Sequence, residues 1–158
     1  MRIVVAAIGR ARGAPEQALF DAYARRLVRN GPAGLTLELI EADERRKLTG
    51  EALRKAEAEL LLARIPKDAA LVALDGRGKP LGSEAFADQL ARWRDDGIGD
   101  LAFVIGGAGG LDPALLERAR FVLSLGAMTW PHLLVRAMLA EQIYRAQSIL
   151  LGHPYHRG

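Results

Sequence analysis

The chain has 158 residues, about the length of one ordinary domain, and half of its residues are hydrophobic. It contains no cysteine, which excludes disulfides, thiolate metal sites and cysteine nucleophiles and is consistent with a reducing cytoplasm. The net charge of +3 is too small to identify a nucleic-acid partner by itself. The apolar start, residues 2–8, is too short for a secretion signal or a membrane span, so we expect a cytoplasmic, water-soluble protein with no membrane association.

Apolar runs alternate with helix-forming segments along the chain, which is typical of an α/β domain with a mainly parallel sheet. The predicted strands are 2–8, 35–40, 69–74, 101–105 and 121–125. The predicted helices are 15–28, 49–64, 83–95, a short one that starts at Asp112 and Pro113, and 132–151. Ser83 and Asp112 are the expected N-caps, and Asp75-Gly76 is expected to end the third strand. Because no linker or repeat interrupts the pattern, we expect one domain, residues 1–158, with a five- to six-stranded sheet and helices on both faces.

The final predicted helix carries apolar side chains around its whole circumference, so it must be buried on nearly every side. In a chain of this size, a second subunit is the simplest cover for the outer face. The sequence therefore predicts a homodimer that packs through this helix. Its polar residues fall on two sides, with His132 and Arg136 on one and Glu141 and Arg145 roughly opposite. The last two are spaced i, i+4 and are also consistent with a local ion pair.

Three loops follow predicted strands at residues 74–76, 106–110 and 125–131. In open α/β sheets, ligands bind at the carboxyl ends of the strands, and glycines there allow the backbone to approach a ligand closely. The glycine loop is not a dinucleotide fingerprint, because Asp112 occupies the position of the third glycine. It is not a Walker A loop either, because no Gly-Lys-Ser/Thr follows. The residues alone therefore indicate a nucleotide-type ligand site without identifying the ligand.

All three histidines, His132, His153 and His156, lie in the last 35 residues. Imidazole titrates near neutrality and is suited to proton transfer, although a histidine that precedes a helix can also cap it. His153 and His156 are three residues apart, but no third ligand is evident, so we predict no metal and keep a metal-dependent hydrolase as an alternative. Together with Tyr155 and Arg157, they form a tail that is suited to stack on a base and pair with a phosphate.

Three segments in combination resemble the RlmH family of the SPOUT superfamily: FVIGGAGGL at 103–111, LSLGAMTWPHLLVRAMLAEQIYRA at 123–146 and HPYHRG at 153–158. The resemblance runs the whole length and includes LDGRGKP at 74–80. That family methylates N3 of the pseudouridine at position 1915 of 23S ribosomal RNA, with S-adenosylmethionine as donor. The resemblance thus implies a methyltransferase, a homodimer, a deep trefoil knot towards the C-terminal end, and 23S RNA in the large subunit or assembled ribosome as partner.

By the same resemblance, the three strand-end loops form the donor pocket. Its expected lining residues are Leu74, Gly106, Gly107, Leu125, Gly126, Ala127, Met128, Thr129, Trp130 and Pro131. The residues expected to move protons or contact the RNA are His132, Arg136, Arg145, Tyr155, His156 and Arg157. The reaction would be an in-line displacement of methyl from a sulfonium by a ring nitrogen that also loses its proton. A non-catalytic ribosome- or RNA-binding dimer that uses the same basic surface remains the main alternative.

Overall fold

The computed structural model describes residues 1–29 and 33–156. Within them it has five strands: β1 (Arg2–Ile8), β2 (Thr36–Ala42), β3 (Ala70–Pro80), β4 (Asp100–Ile105) and β5 (Phe121–Ser124). It has five α-helices: α1 (Pro15–Arg26), α2 (Gly50–Leu62), α3 (Ser83–Asp95), α4 (Pro113–Arg118) and α5 (His132–Leu150). A single 3-10 turn follows at Pro154–His156. Every predicted strand and helix is therefore confirmed, and the end of β3 is the one boundary that moves substantially.

The five strands form one sheet in the order β2-β1-β4-β3-β5, and every neighbouring pair is parallel. The predicted α/β class is confirmed, and the sheet is wholly parallel. The central strands are buried on both faces, with residues 3–7 and 101–104 fully inaccessible. This explains why they read as continuous apolar runs without alternation. Because all strands run the same way, their carboxyl ends meet at one edge.

Helices cover both faces of the sheet, as predicted. On one face, α1, α3 and α5 bury large side chains such as Phe20, Trp93 and Ile143. On the other face, α2 and α4 bury Leu61 and Leu115 against the sheet. The two layers leave the carboxyl edge of the sheet to be covered by loops.

The prediction that Asp75 and Gly76 end the third strand is wrong. The strand bulges outward between Leu74 and Lys79, both of which pair with Leu123, and it then continues to Pro80. The physical reason lies at Gly78, where a Cβ atom would come within 2.6 Å of the carbonyl oxygen of Val122. Glycine thus lets the chain return to β5 after a turn-like sequence, and the bulge projects residues 75–77 at the carboxyl edge.

The two predicted N-caps have different outcomes. The Asp112 side chain accepts a hydrogen bond from the backbone N–H of Ala114 at 2.9 Å and caps α4 as expected. Ser83 is not a cap, because it is the first residue of α3 and Gly82 precedes the helix. Its hydroxyl donates instead to Oε1 of Gln142 in α5 at 2.8 Å, joining two helices. Among the helices of residues 1–29 and 33–156, none has the length and apolar character needed to cross a bilayer.

Candidate functional site

A cavity of about 340 Å³ opens at the carboxyl edge where β3, β4 and β5 end. It is lined by the loops after these strands and by the first turn of α5. Nine of the ten residues predicted to line a pocket do so: Leu74, Gly106, Gly107, Leu125, Gly126, Ala127, Met128, Thr129 and Trp130. The tenth, Pro131, is the N-cap position of α5 and is not part of the wall. The convergence of three loops follows directly from the parallel sheet.

Four further lining residues belong to the predicted loops without having been singled out, namely Asp75, Gly76, Ala108 and Gly110, and four others were not predicted, namely Ile105, Leu111, Leu123 and Val135. Asp75 is the most consequential, because it is the only carboxylate among the described residues that line the cavity. Its Oδ1 accepts from Nε of Arg77 at 2.8 Å, and the second oxygen accepts from Nη2 at 3.0 Å. This hydrogen bonding lowers the pKa of Asp75, so the carboxylate is ionised at neutral pH. The LDGRGKP motif could have drawn attention to Asp75, but an Asp-Gly pair is typical of an ordinary turn.

The glycine loop closes on itself with little free space. The backbone N–H of Gly110 donates to the carbonyl of Gly107 at 3.0 Å, and Gly110 has a φ of +78°. A Cβ on Gly106 would lie 2.9 Å from the carbonyl carbon and oxygen of Gly110. Gly109 is different, because the nearest atom to its Cβ position is Cγ of Arg54 at an ordinary 3.7 Å. The loop therefore requires glycine at 106, whereas position 109 has room for a methyl group.

A buried carboxylate of α2 rests on the same loop. Glu57 is 8% exposed, and a Cβ on Gly107 would lie 2.9 Å from its Oε1. Burial raises the pKa of Glu57, and the hydrogen bond from the backbone N–H of Gly107 partly offsets this. Sequence reasoning missed Glu57, because a glutamate in a segment rich in Ala, Leu, Glu and Arg looks like any solvent-facing helix residue.

His132 and Arg136 occupy successive turns of α5, but their environments differ. His132 is exposed and lines the cavity, with its Nε2 3.4 Å from the Cβ position of Gly9. Arg136 is 2% exposed, and its Nη1 donates to Oε1 of Glu41 at 2.8 Å. Its Nη2 donates to the carbonyls of Ile8 at 2.7 Å and Gly9 at 3.2 Å. Burial lowers the pKa of Arg136, and Glu41 counteracts the shift. Arg136 thus fastens α5 to the ends of β1 and β2 beside the cavity.

The remaining predicted catalytic residues that the structure describes form a separate cluster on another side of α5. We call it the tail cluster; it consists of Arg145, Tyr155 and His156 with their partners Glu141 and Glu84. Tyr155 donates its hydroxyl hydrogen to Oε1 of Glu141 at 3.1 Å, and the guanidinium of Arg145 lies 4.9 Å from the Tyr155 ring centroid. Nε2 of His156 lies 3.4 Å from Oε1 of Glu84 on α3. Burial and hydrogen bonds with Tyr23 and Glu141 raise the pKa of Tyr155, so the phenol stays protonated at neutral pH. None of Arg145, Tyr155 and His156 lines the 340 Å³ cavity of its own chain, and Arg157 lies outside the described residues.

A second, more apolar groove of about 630 Å³ runs between α1, α3 and α5. Its walls include Leu19, Tyr23, Phe86, Leu134 and Met138. Leu125 and Gly126 line both this groove and the smaller cavity, and Glu141 of the tail cluster lines the groove. The groove thus connects the carboxyl-edge cavity with the tail. Across residues 1–29 and 33–156, no three His, Asp or Glu side chains are grouped in a way that could hold a metal ion.

Comparison with known proteins identifies the class to which this fold and site belong. The family model described as "Predicted SPOUT methyltransferase" matches residues 1–156. The chain belongs to the SPOUT methyltransferase family, in which S-adenosylmethionine is the methyl donor, and the resemblance deduced from the three motifs is confirmed.

The similar proteins with curated names are more specific. The chain is 55% identical over 157 residues to the ribosomal RNA large subunit methyltransferase H of Rhodospirillum centenum, with 99% of each chain covered. It is 54% identical over 157 residues to the protein of the same name from Paramagnetospirillum magneticum, again with 99% coverage of both. A solved structure, a probable methylase family protein from Haemophilus influenzae Rd KW20, shares the fold with a TM-score of 0.52 and 16% identity. That match covers 98% of this chain and 69% of the other.

Proposed function

We propose that this protein uses S-adenosylmethionine to methylate N3 of the pseudouridine at position 1915 of 23S ribosomal RNA. The observation that carries the proposal is the cavity of three strand-end loops, with nine of the ten expected lining residues in its wall. It stands in a chain 55% identical, over nearly its full length, to a ribosomal RNA large subunit methyltransferase H. Ribosomes are cytoplasmic, so we expect the protein to act there, as a single domain.

The residues of the cavity are chemically suited to the donor. Its volume of about 340 Å³ is in the range of small-molecule sites. Leu74, Ile105 and Leu125 offer apolar surface for an adenine ring. The ionised Asp75 is the one carboxylate in the wall, and it can accept hydrogen bonds from ribose hydroxyls or lie near a positive sulfur. When bound, S-adenosylmethionine supplies a methyl group that is already activated by the sulfonium, so the protein mainly has to align the two reactants.

The target nitrogen carries a proton that must leave when the methyl group is accepted. Apart from Asp75, His132 is the only titratable side chain among the cavity-lining residues. We assign His132 the role of receiving this proton or of hydrogen bonding to the base as the proton departs. Arg136 supports that role indirectly, because it is buried one turn further along α5 and fixes this part of the helix to Ile8 and Glu41.

The tail cluster acts on the site of a second subunit in this proposal. Arg145, Tyr155 and His156 are remote from the cavity of their own chain, and a homodimer packed through α5 would bring one tail towards the other chain's cavity. The apolar groove favours such a dimer, because Leu134 and Met138 of α5 and the exposed Leu19 of α1 are only partly covered within one chain. Arg157 follows directly and would extend the same contact.

Exposed cations give the RNA a surface next to the cavity. We call Arg10, Arg12, Arg45 and Lys47 the basic rim; they lie in the loops after β1 and β2. The loops are adjacent, since the backbone N–H of Gly9 donates to the carbonyl of Ala42 at 2.8 Å. Within the described part of the chain, none of the four pairs with a carboxylate. Unpaired cations at this edge are suited to phosphate contacts.

The family resemblance also leads us to propose a deep trefoil knot towards the C-terminal end of the chain. The long path of α5 is compatible with it, because this helix follows edge strand β5 and yet reaches Ile8 at the end of β1 through Arg136. Single-molecule stretching from the two ends tests the knot. A knotted chain retains a contour length shorter than that of 158 extended residues, whereas an unknotted chain reaches the full length.

The decisive experiment is calorimetric titration with S-adenosylmethionine, followed by transfer of a tritiated methyl group to ribosomes that lack the modification. We expect binding and label at one pseudouridine. Binding without label would exclude this RNA position, and no binding would favour the non-catalytic RNA-binding dimer.

A mixture of two inactive variants, His132→Ala and Tyr155→Ala, tests whether the tail works in trans. In a mixed dimer, the Tyr155→Ala subunit supplies a cavity with His132 and the His132→Ala subunit supplies a tail with Tyr155. One complete site is thus formed, and activity should return on mixing. Continued inactivity of the mixture would place the tail's function within one chain, and light scattering on the wild type tests the dimer directly.

A further inference from the structure

Glu57 is the one buried carboxylate in the described part of the chain without a cationic partner. Five polar or charged residues there are buried: Glu57, Ser124, Arg136, Gln147 and Ser148. The side chains of the other four residues form hydrogen bonds with other groups of the protein. Glu57 makes no ion pair among residues 1–29 and 33–156. Burying a carboxylate without a counter-charge costs stability, so its position requires an explanation.

The carboxylate of Glu57 is packed directly onto the backbone of the glycine loop. A Cβ on Gly107 would lie 2.9 Å from Oε1, 3.1 Å from Oε2 and 3.2 Å from Cγ2 of Ile8. Both oxygens of the carboxylate thus pack against the backbone of this residue. The absence of a side chain at 107 lets a helix of one layer touch a loop at the carboxyl edge of the sheet.

Gly107 connects this contact to the wall of the donor cavity. Its carbonyl accepts the hydrogen bond that closes the loop, from the N–H of Gly110 at 3.0 Å, and Gly106, Gly107 and Gly110 all line the cavity. A glycine-rich loop has more conformational freedom to lose than any other backbone, so it needs an external anchor to present one shape to a ligand. Glu57 provides that anchor from outside the cavity.

We propose that Glu57 is a positioning residue of the donor site, whose buried carboxylate packs against the Gly107 backbone and thereby fixes the glycine loop in its donor-binding shape. This inference rests on the proposed function for its consequence, but the contact itself exists in the donor-free protein. It extends the site to α2, which contributes no residue to the cavity wall. The role belongs to the size and shape of the side chain, because the contact with Gly107 involves no counter-charge.

Hydrogen exchange and donor binding together test the role. In the donor-free wild type, the Gly110 amide, which closes the loop on the Gly107 carbonyl, should be protected, and Glu57→Ala should accelerate its exchange at least tenfold. Glu57→Gln retains the size and shape of the side chain and should preserve the protection. In calorimetry, Glu57→Ala should weaken S-adenosylmethionine binding about tenfold, and Glu57→Gln should remain within threefold of the wild type. Glu59→Ala, on an exposed position of the same helix, is the matched control and should change neither quantity.

The outcomes separate this inference from the proposed function. An unprotected Gly110 amide in the wild type would overturn the positioning role even if Glu57→Ala failed to fold. Equal donor affinity of Glu57→Ala and wild type would overturn it as well, as would a loss in Glu57→Gln as large as that in Glu57→Ala. A wild type with a protected amide that binds no S-adenosylmethionine would instead refute the proposed function and the role of the anchor in donor binding.

Discussion

Arg136 of α5 and Glu41 of β2, 95 residues apart in sequence, form an ion pair of 2.8 Å in which the arginine is 2% exposed. The same Oε1 of Glu41 accepts from the backbone N–H of Ala11 at 2.7 Å. The pair therefore joins the last helix, the second strand and the loop after the first strand. Three segments that are distant in sequence meet at one carboxylate oxygen beside the cavity at the carboxyl edge.

Removal of Arg136 should destabilise the protein strongly. Arg136→Met leaves Glu41 without its counter-charge and the carbonyls of Ile8 and Gly9 without their donor, and breaking a buried pair in this way costs about 3–5 kcal/mol. Urea unfolding measures the loss. Arg2→Gln, which removes two solvent-exposed ion pairs, with Glu38 at 3.4 Å and with Asp100 at 3.8 Å, should cost less than about 1 kcal/mol. Similar costs for the two variants would contradict a buried anchor at Arg136.

The glycine loop allows a matched pair of variants. Gly106→Ala places a methyl group within 2.9 Å of the Gly110 backbone, so the loop must shift and donor affinity should fall at least tenfold. Gly109→Ala meets only Cγ of Arg54 at 3.7 Å and should bind S-adenosylmethionine within threefold of the wild type. Calorimetry on both proteins measures the difference. Equal affinities would mean that the loop is not a rigid part of the donor site.

Most of the architecture could be predicted, because a fully buried parallel strand leaves an unambiguous apolar run, as in β1 and β4. The nine cavity residues could be predicted from strand ends and motif resemblance. The burial of Glu57 and the ion pair of Asp75 could not, since they depend on contacts with Gly107 and Arg77 that local composition does not encode. The separation of His132 from Tyr155 and His156 was also hidden, because His132 begins the 19-residue helix α5 and the other two residues follow its end, so the path of the chain after the helix decides where they lie.

His132 should be required for methyl transfer but not for donor binding. General acid–base groups typically contribute 10²- to 10⁴-fold, so we expect kcat of His132→Ala to fall by about that factor. The dissociation constant for S-adenosylmethionine should stay within about threefold, and added imidazole should restore part of the rate. If donor affinity falls as far as kcat, His132 belongs to donor binding and the assigned role is wrong.

The basic rim should determine how salt affects binding to the ribosome. Each phosphate contact that is lost reduces the slope of log affinity against log salt by nearly one, so Arg10→Gln/Arg12→Gln should reduce it by about two. S-adenosylmethionine binding should be unchanged. The control is Lys67→Gln/Arg118→Gln, which removes two exposed cations at the opposite edge of the sheet. An equal decrease in slope for both pairs would indicate a general charge effect without a defined RNA surface.

Glu57 should make stability depend on pH in a defined direction. Its pKa is raised in the folded protein, so folding favours the protonated form. That contribution is complete below the unfolded pKa of 4.5 and is lost as pH rises through the folded value. Relative to wild type, Glu57→Gln should therefore gain stability as pH rises from 4 to 7, measured by urea unfolding at each pH. A difference that is constant with pH would contradict a perturbed carboxylate at this position.

The strand order also determines how late in its synthesis the chain can form the cavity. The pairs β1–β2 and β3–β4 are neighbours both in sequence and in the sheet, but β1 must wait for β4 to pair on its other side, and β3 must wait for β5. The cavity needs residues up to Val135, and Arg136 must reach back 128 positions to Ile8. Folding dominated by such distant contacts is slow, because long loops must close before any contact compensates for the entropy lost. The cavity of a nascent chain is thus incomplete until the residues up to Arg136 have left the exit tunnel.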